Sequence, residues 1–294
     1  ITGHGIEDRT FEALHSTAGQ FFDMSNEEKN QSFFIGMSQA MMRGAGGSMD
    51  ASGCRWTWKR LNAPKDGWSG SAGTGAAATS DSVELVSFHN DPADIVPAKP
   101  SDFREKIDAA YAAGTILSTQ LMSLCAAALG LPLDFFKGAY TDPDCTLRIA
   151  YYPHVKPARS TSGANGASQL QPKRLRYGEH VDFTALTIVR ADGASGGLEV
   201  ELPDGSWSAV PKLPGALVVN AGDLLHRWTN GRWKAALHRV ACPTEPEREQ
   251  ERQKSDIIAS ASDTGCTVKQ TLTAQAASLS LQKAALGSDA SSST

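Results

Sequence analysis

The amino-acid sequence predicts a mainly β protein with flanking α-helices, built on a double-stranded β-helix (jelly-roll) core. Three observations carry this expectation. From Thr146 onward the chain divides into short strand-like runs separated by Gly, Pro and Asp turns. Asp204–Gly205 has the residues of a hairpin turn between two of those runs. Ahead of them, the apolar residues recur with a helical period.

The chain opens at Ile1, not Met, in what reads as an ongoing strand, so a first strand is expected ahead of it and a targeting segment there stays open. Phe11, Leu14, Phe21 and Phe22 then give residues 7–24 near-helical spacing. Ser25–Asn26–Glu27–Glu28 reads as a capping box that opens another short helix. Residues 43–82 are rich in Gly, Ser and Ala, most of all over Ser69–Ser82, and are expected to form a mobile surface insertion. A long helix is predicted from Asp102 to Leu129, with Phe103, Ile107, Ala110, Gly114, Leu117, Leu121, Leu124 and Ala128 as its buried stripe. Gly130 ends it and Pro132 follows.

The strand-like runs are Leu147–Tyr152, Ala185–Arg190, Leu198–Leu202, Ser206–Val210, Ala216–Asn220, Leu237–Ala241 and Asp256–Ser260. Ala158–Gln171 reads as a loop, and Gly287–Thr294 as a disordered tail. Together the residues read as a single domain: a helical N-terminal part over 1–140, the jelly-roll core over 141–262, and a C-terminal helix and tail over 263–294.

With 294 residues, 40% of them hydrophobic, the chain can bury one large core. A net charge of −4 leaves no electrostatic footprint for nucleic acid or an anionic membrane. No apolar run reaches the length of a membrane-spanning helix. Cys54, Cys125, Cys145, Cys242 and Cys266 are odd in number and form no CxxC pair, which argues against a zinc cluster or disulfide framework and for a reducing, cytoplasmic compartment.

The chemistry resides in His180–Val181–Asp182 and in a second histidine, His238. Two imidazoles and one carboxylate form the donor set that holds non-haem Fe(II) on one face, with no soft thiolate among them. On a strand, His180 and Asp182 would share a face, and His238 would reach the same interior from a distant strand. A His-x-Asp triplet is also common in proteins without a metal, so the triplet alone does not establish a site.

The surrounding sequence is more specific. Gly178 through Val189 resembles the metal-binding strand of the isopenicillin N synthase-like family of 2-oxoglutarate- and Fe(II)-dependent dioxygenases. Gly196–Val200, Asp204–Trp207, Pro214–Asp223 and Arg227–Trp233 leading into His238–Val240 resemble successive blocks of that family, in its order. Ile1–Ile6 resembles its early strand-to-helix junction, and Phe103–Pro153 its long helix and entry into the core; the likeness runs from about Ile1 to Ser260.

That resemblance implies that His180, Asp182 and His238 ligate Fe(II), leaving positions for bidentate 2-oxoglutarate and for O2. It also implies a cation for the distal carboxylate of 2-oxoglutarate, for which an arginine fork is suited. The family uses Arg-x-Ser. Here Arg252–Gln253–Lys254–Ser255 has its serine one position late, and Arg248 competes with Arg252. Arg252 is favoured because Ile257 and Ile258 then take the apolar positions that follow, although a solvated charge run over Glu245–Lys254 explains most of the segment. Tyr152 matches a tyrosine that hydrogen-bonds the 2-oxo acid, and equally suits a packed core position. Ala150 stands where many plant members carry Asn.

Other tempting residues have plainer readings. His4 is expected to cap or pack a turn, His226 to lie off the ligand set, and Asp223 to be a turn residue. Trp228 and Trp233 read as core or rim aromatics, and His89 and His154 as solvated or at the mouth. The resemblance thus implies oxidation of a C–H bond of a small molecule, with release of succinate and CO2. Four other functions stay open: an Fe(II) oxidase of the isopenicillin N synthase type that uses no 2-oxoglutarate, an ethylene-forming variant, an inactive jelly-roll binding protein, and a Zn²⁺ hydrolase with the same ligands. Nothing in the sequence selects the substrate.

Overall fold

The computed structural model describes residues 1–32, 58–61, 83–88, 96–140, 145–152, 175–191, 197–242 and 256–263. Two antiparallel sheets face each other, as expected of a jelly roll. One has six strands in the order β1-β2-β3-β10-β5-β8, and the other four in the order β4-β9-β6-β7. In chain order these are β1 (Trp58–Leu61), β2 (Val83–Phe88), β3 (Cys145–Tyr152), β4 (Leu175–His180), β5 (Leu186–Ala191), β6 (Leu198–Glu201), β7 (Trp207–Ala209), β8 (Val218–Ala221), β9 (His238–Ala241) and β10 (Asp256–Asp263). The helices are α1 (Asp8–Phe22), α2 (described over residues 26–32), α3 (Phe103–Ala128) and α4 (Asp223–Trp228).

The period-2 alternation of the strands sorts side chains between two faces of the larger sheet. Val86, Phe88, Leu147, Ile149 and Tyr151 point outward and join Leu14, Phe21, Phe22, Phe103 and Ile107 of α1 and α3. Their sequence neighbours Val83, Leu85, Ala150 and Tyr152 point the other way, against Tyr177, Leu198 and Val240 of the smaller sheet. Phe21 and Phe103 are fully buried with ring centroids 5.6 Å apart, and a fully buried Phe contributes about 1.5–3 kcal/mol of transfer free energy. Lys29 of α2 and Glu84 of β2 form a buried ion pair at 2.9 Å that ties this helix to the sheet.

The capping box forms as expected: the Ser25 amide donates to Glu28 Oε2 at 2.9 Å, and the Glu28 amide to Ser25 Oγ at 3.2 Å. Helix α3 ends as expected on Gly130 at φ +74°. The Gly130 amide donates to the Ala127 carbonyl and the Leu131 amide to that of Ala126, each at 2.9 Å, which is a Schellman cap. Its buried stripe needs correction. Phe103, Ile107, Ala110, Gly114 and Leu117 are buried, but Leu124 is 62% exposed, Ala128 is exposed, and Ser118, Met122 and Ala126 take their places. The expected stripe advances by 3.5 residues per turn, and a straight α-helix drifts about 20° per heptad against it. Over three heptads the buried face moves to the next row.

Two further expectations change. Trp58–Leu61, inside the expected mobile insertion, is strand β1, paired antiparallel with β2. The N-terminal part is therefore not purely helical: β2, with Val83, Val86 and Phe88 among its six residues, pairs with β3, and β1 pairs with the outer edge of β2. Strand β4 and the short helix α4 add to the elements that the sequence pattern predicts. Ala158–Gln171, Gly287–Thr294 and the C-terminal helix lie outside the described residues. Among the described residues Cys125, Cys145 and Cys242 form no disulfide, and no helix is long and apolar enough to cross a membrane.

Candidate metal centre

Strands β4 and β9 are neighbours, and their register pairs His180 with His238. The imidazole centroids lie 4.2 Å apart. Asp182 completes a cluster whose ligand atoms all fall within 4.8 Å of one another, close enough to share one ion. Asp182 Oδ1 is 3.8 Å from His180 Nε2 and 3.8 Å from His238 Nε2.

The route by which Asp182 arrives differs from the sequence expectation. His180 is the last residue of β4, and Asp182 lies beyond the strand in the bend before β5. Strand alternation therefore does not aim the carboxylate; α4 shapes the bend instead. The amides of Gly222, Asp223 and Leu224 donate to the carbonyls of Ala185 (3.0 Å), Asp182 (2.7 Å) and Thr184 (3.2 Å). Gly222 is required by space rather than by its φ of −98°. A Cβ there would lie 2.1 Å from the Thr184 carbonyl oxygen and 2.8 Å from that of Asp182.

Hydrogen bonds orient each donor. His180 Nδ1 donates to the Gly178 carbonyl at 2.8 Å, and His238 Nδ1 to the Ala236 carbonyl at 2.9 Å. A carbonyl only accepts, so each Nδ1 carries a proton, and both Nε2 atoms face the cluster. Asn220 Nδ2 donates to Asp182 Oδ2 at 2.8 Å, and the Thr187 hydroxyl also bonds this carboxylate. On the outer face Arg239 bonds Glu199 at 2.9 Å and Glu179 at 2.7 Å, with its guanidinium 3.8 Å above the Trp207 ring. This braces β4, β9, β6 and β7 behind the two histidines.

The electrostatics suit a divalent cation. Burial first, and then the nearby His238, push the imidazolium of His180 down to about 4 against the pull of Gly178 and Asp182, so the ring is neutral at pH 7. Burial alone would raise Asp182, but His238, the Asn220 and Thr187 hydrogen bonds and His180 together hold it below the usual carboxylate range. Two imidazoles and one carboxylate are the donor set of octahedral Fe(II) sites with open positions.

A pH effect follows for the metal-free protein. The unfolded ring titrates near 6.5, so between about 6.5 and 4 the unfolded state binds the extra proton; stability is full above that window and falls as pH drops through it. The shift corresponds to about 3 kcal/mol. Denaturant unfolding of chelator-treated protein should therefore show the native chain losing more stability from pH 7 to pH 4 than His180→Gln does. Equal losses would contradict the assignment.

The other residues fall as follows. Tyr152 is buried in β3 on the inner face, with the Arg176 guanidinium 5.9 Å from its ring. Arg248, Arg252, His89 and His154 lie outside the described residues. His4 holds a turn, accepting from the Ile6 amide at Nδ1 and donating to the Gly215 carbonyl from Nε2 at 3.1 Å. His226 bonds the Trp233 carbonyl and stays outside the cluster. Asp223 opens α4 and pairs with Arg227 at 2.7 Å. Trp228 is buried and stacked on Phe136, and Trp233 packs beside it. Asn220, Thr187 and Gly222 also join the site; they lie within the blocks Gly178–Val189 and Pro214–Asp223, but the sequence reading gave none of them a role. The available signal was two polar residues and a glycine within otherwise apolar strand runs.

Comparisons with known proteins agree with this geometry. Residues 143–255 match the 2OG-Fe(II) oxygenase superfamily. The chain is 34% identical over 153 residues to validamycin A dioxygenase of Streptomyces hygroscopicus subsp. limoneus, covering 52% of this chain and 40% of that protein. It is 35% identical over 179 residues to gibberellin 2-beta-dioxygenase 4 of Arabidopsis thaliana, covering 59% and 54%. The chain thus spans about half the length of these relatives. Among solved structures, a 2OG-Fe(II) oxygenase family protein from Caulobacter crescentus shares the fold at a TM-score of 0.66 and 20% identity, over 91% of this chain and 81% of that one.

Proposed function

We propose that the chain is a 2-oxoglutarate-dependent non-haem Fe(II) dioxygenase acting on a small molecule, a reading supported by the match of residues 143–255 to the 2OG-Fe(II) oxygenase superfamily. The observation that carries this reading is the convergence of His180 Nε2, His238 Nε2 and Asp182 Oδ1, with every other polar atom of those side chains already committed. These three atoms would hold Fe(II). When bound, the ion with 2-oxoglutarate and O2 supplies oxidative decarboxylation to succinate and CO2, coupled to oxidation of a substrate C–H bond.

The chain's own contribution is placement and shielding. Backbone carbonyls fix the histidine tautomers, α4 and β8 fix the carboxylate, and the apolar contact of Val83, Ala150 and Tyr152 with Val240 excludes water from the interior. For the distal carboxylate of 2-oxoglutarate we assign Arg252 with Tyr152, and Arg248 as the competing cation. What supports Arg252 is register: Asp256, four residues after it, pairs with Tyr152. The odd number of cysteines, with no CxxC pair, suits a reducing, cytoplasmic setting. The relatives act on unlike compounds by their names, a validamycin and a gibberellin, so they do not choose the substrate.

The test is a metabolite screen read by succinate release, with metal analysis of the purified protein. Succinate that requires Fe(II), O2 and 2-oxoglutarate supports the reading; O2 consumption that ignores 2-oxoglutarate overturns it in favour of an oxidase. In the same assay Arg252→Ala should raise the 2-oxoglutarate KM by about 10- to 100-fold, the loss of a charged hydrogen bond of roughly 1.5–3 kcal/mol, while Arg248→Ala leaves it unchanged. The reverse pattern would move the assignment to Arg248.

A further inference from the structure

The segment Asn220–Ala221–Gly222–Asp223 contributes three groups to one ligand. The Asp223 amide holds the Asp182 carbonyl, Gly222 gives the close approach, and the Asn220 side chain reaches the carboxylate itself. Resting on the metal-centre reading above, we propose that Asn220 is a positioning residue that restricts Asp182 to ligation through Oδ1 alone and so keeps a coordination position open for the co-substrate.

The geometry is specific. Val219 and Ala221 of β8 pack outward among the residues beneath α3 and α4, so Asn220 between them points inward. It is paired in register with Thr187, whose hydroxyl also bonds Asp182. Thr184 Oγ1 lies 3.0 Å from Thr187 Oγ1, and with the Thr187 proton given to the carboxylate, Thr184 is the donor of that bond. An ionised carboxylate only accepts, so the Asn220 amide must present its Nδ2 to it. That bond, at 2.8 Å, engages Oδ2, whereas Oδ1 faces both histidine Nε2 atoms.

A carboxylate can ligate a cation through one oxygen or two. Two-oxygen binding would require Oδ2 to leave Asn220 and turn to the ion. On a six-coordinate ion three protein donors leave three positions, which a two-toothed 2-oxo acid and O2 fill; a second Asp182 oxygen would take one of them. Asn220 thus acts on occupancy of the ion, beyond its part in the fold.

Mn(II) reports this without turnover, because water-proton relaxation measures the exchangeable waters on the bound ion. Wild-type protein should show about three waters, and Asn220→Ala about two, since the amide that holds Oδ2 is then gone and this oxygen can turn to the ion. The 2-oxoglutarate Kd of the Mn(II)-loaded variant should rise at least about 10-fold while the Mn(II) Kd changes less. Asn220→Leu keeps the volume without the donor and should behave alike, which carries the test if the alanine variant does not fold. Asn220→Ser returns a donor and should recover part of the 2-oxoglutarate affinity. Wild-type relaxivity and 2-oxoglutarate affinity in a folded donor-less variant overturn the proposal. Failure of the wild type to bind Mn(II) would instead strike the metal-centre reading.

Discussion

His180→Ala should abolish 2-oxoglutarate-dependent succinate release and weaken metal binding by more than the roughly 10- to 100-fold that loss of an outer partner costs. The ring would supply one of the three candidate ligand atoms, and the described cluster holds no fourth ligand to replace it. Its fold should persist, because the ring is only part-buried and its Nδ1 bonds the Gly178 carbonyl within its own strand. Removing the imidazole also removes a group whose charged form is disfavoured there, so the metal-free variant should unfold no more easily below pH 6 than the native chain. Isothermal titration with Co(II) under anaerobic conditions, alongside the succinate assay, checks both halves. Unchanged turnover would show that His180 is not a ligand.

Gly222→Ala should produce the largest combined loss of stability and metal affinity among substitutions away from the ligands. Its Cβ would meet two backbone carbonyl oxygens, at 2.1 and 2.8 Å, and backbone cannot swing aside as a side-chain tip can. Separating the α4 end from the Asp182–Ala185 bend strains three hydrogen bonds and moves Asp182 off the point it shares with the histidines. The expected cost is about 3 kcal/mol or more, at or above the upper end of ordinary overpacking. Gly205→Ala is the control. Gly205 sits in the β6–β7 hairpin at φ +80° with open space around it, so it should lose only about 1–2 kcal/mol and bind metal normally. Equal metal affinity in the two variants would refute the role given to Gly222.

Much of the fold is legible in the sequence because its signals are local. The capping box at Ser25, the cap at Gly130 and the turn at Asp204–Gly205 each need only a few adjacent residues, and all three form as expected. The alternation in Leu147–Tyr152 is equally local, and it sends Leu147 and Ile149 to one core cluster and Ala150 and Tyr152 to another. The α3 stripe follows the expected positions only through Leu117, because a small angular error per turn accumulates along 26 residues. Strand β1 is not legible because its pairing, rather than its composition, makes it a strand.

The sequence by itself determined which residues could serve as ligands, since only side-chain chemistry and the order of motifs enter that choice. It also determined the two hydrophobic periods and the turns, which are properties of neighbouring residues. Only the tertiary structure decided how Asp182 meets the histidines: through a bend held by α4, with Asn220, 38 residues away, gripping its second oxygen. Such contacts depend on how distant strands register across a sheet, and register is set by the packing of the whole barrel, so no local pattern announces it.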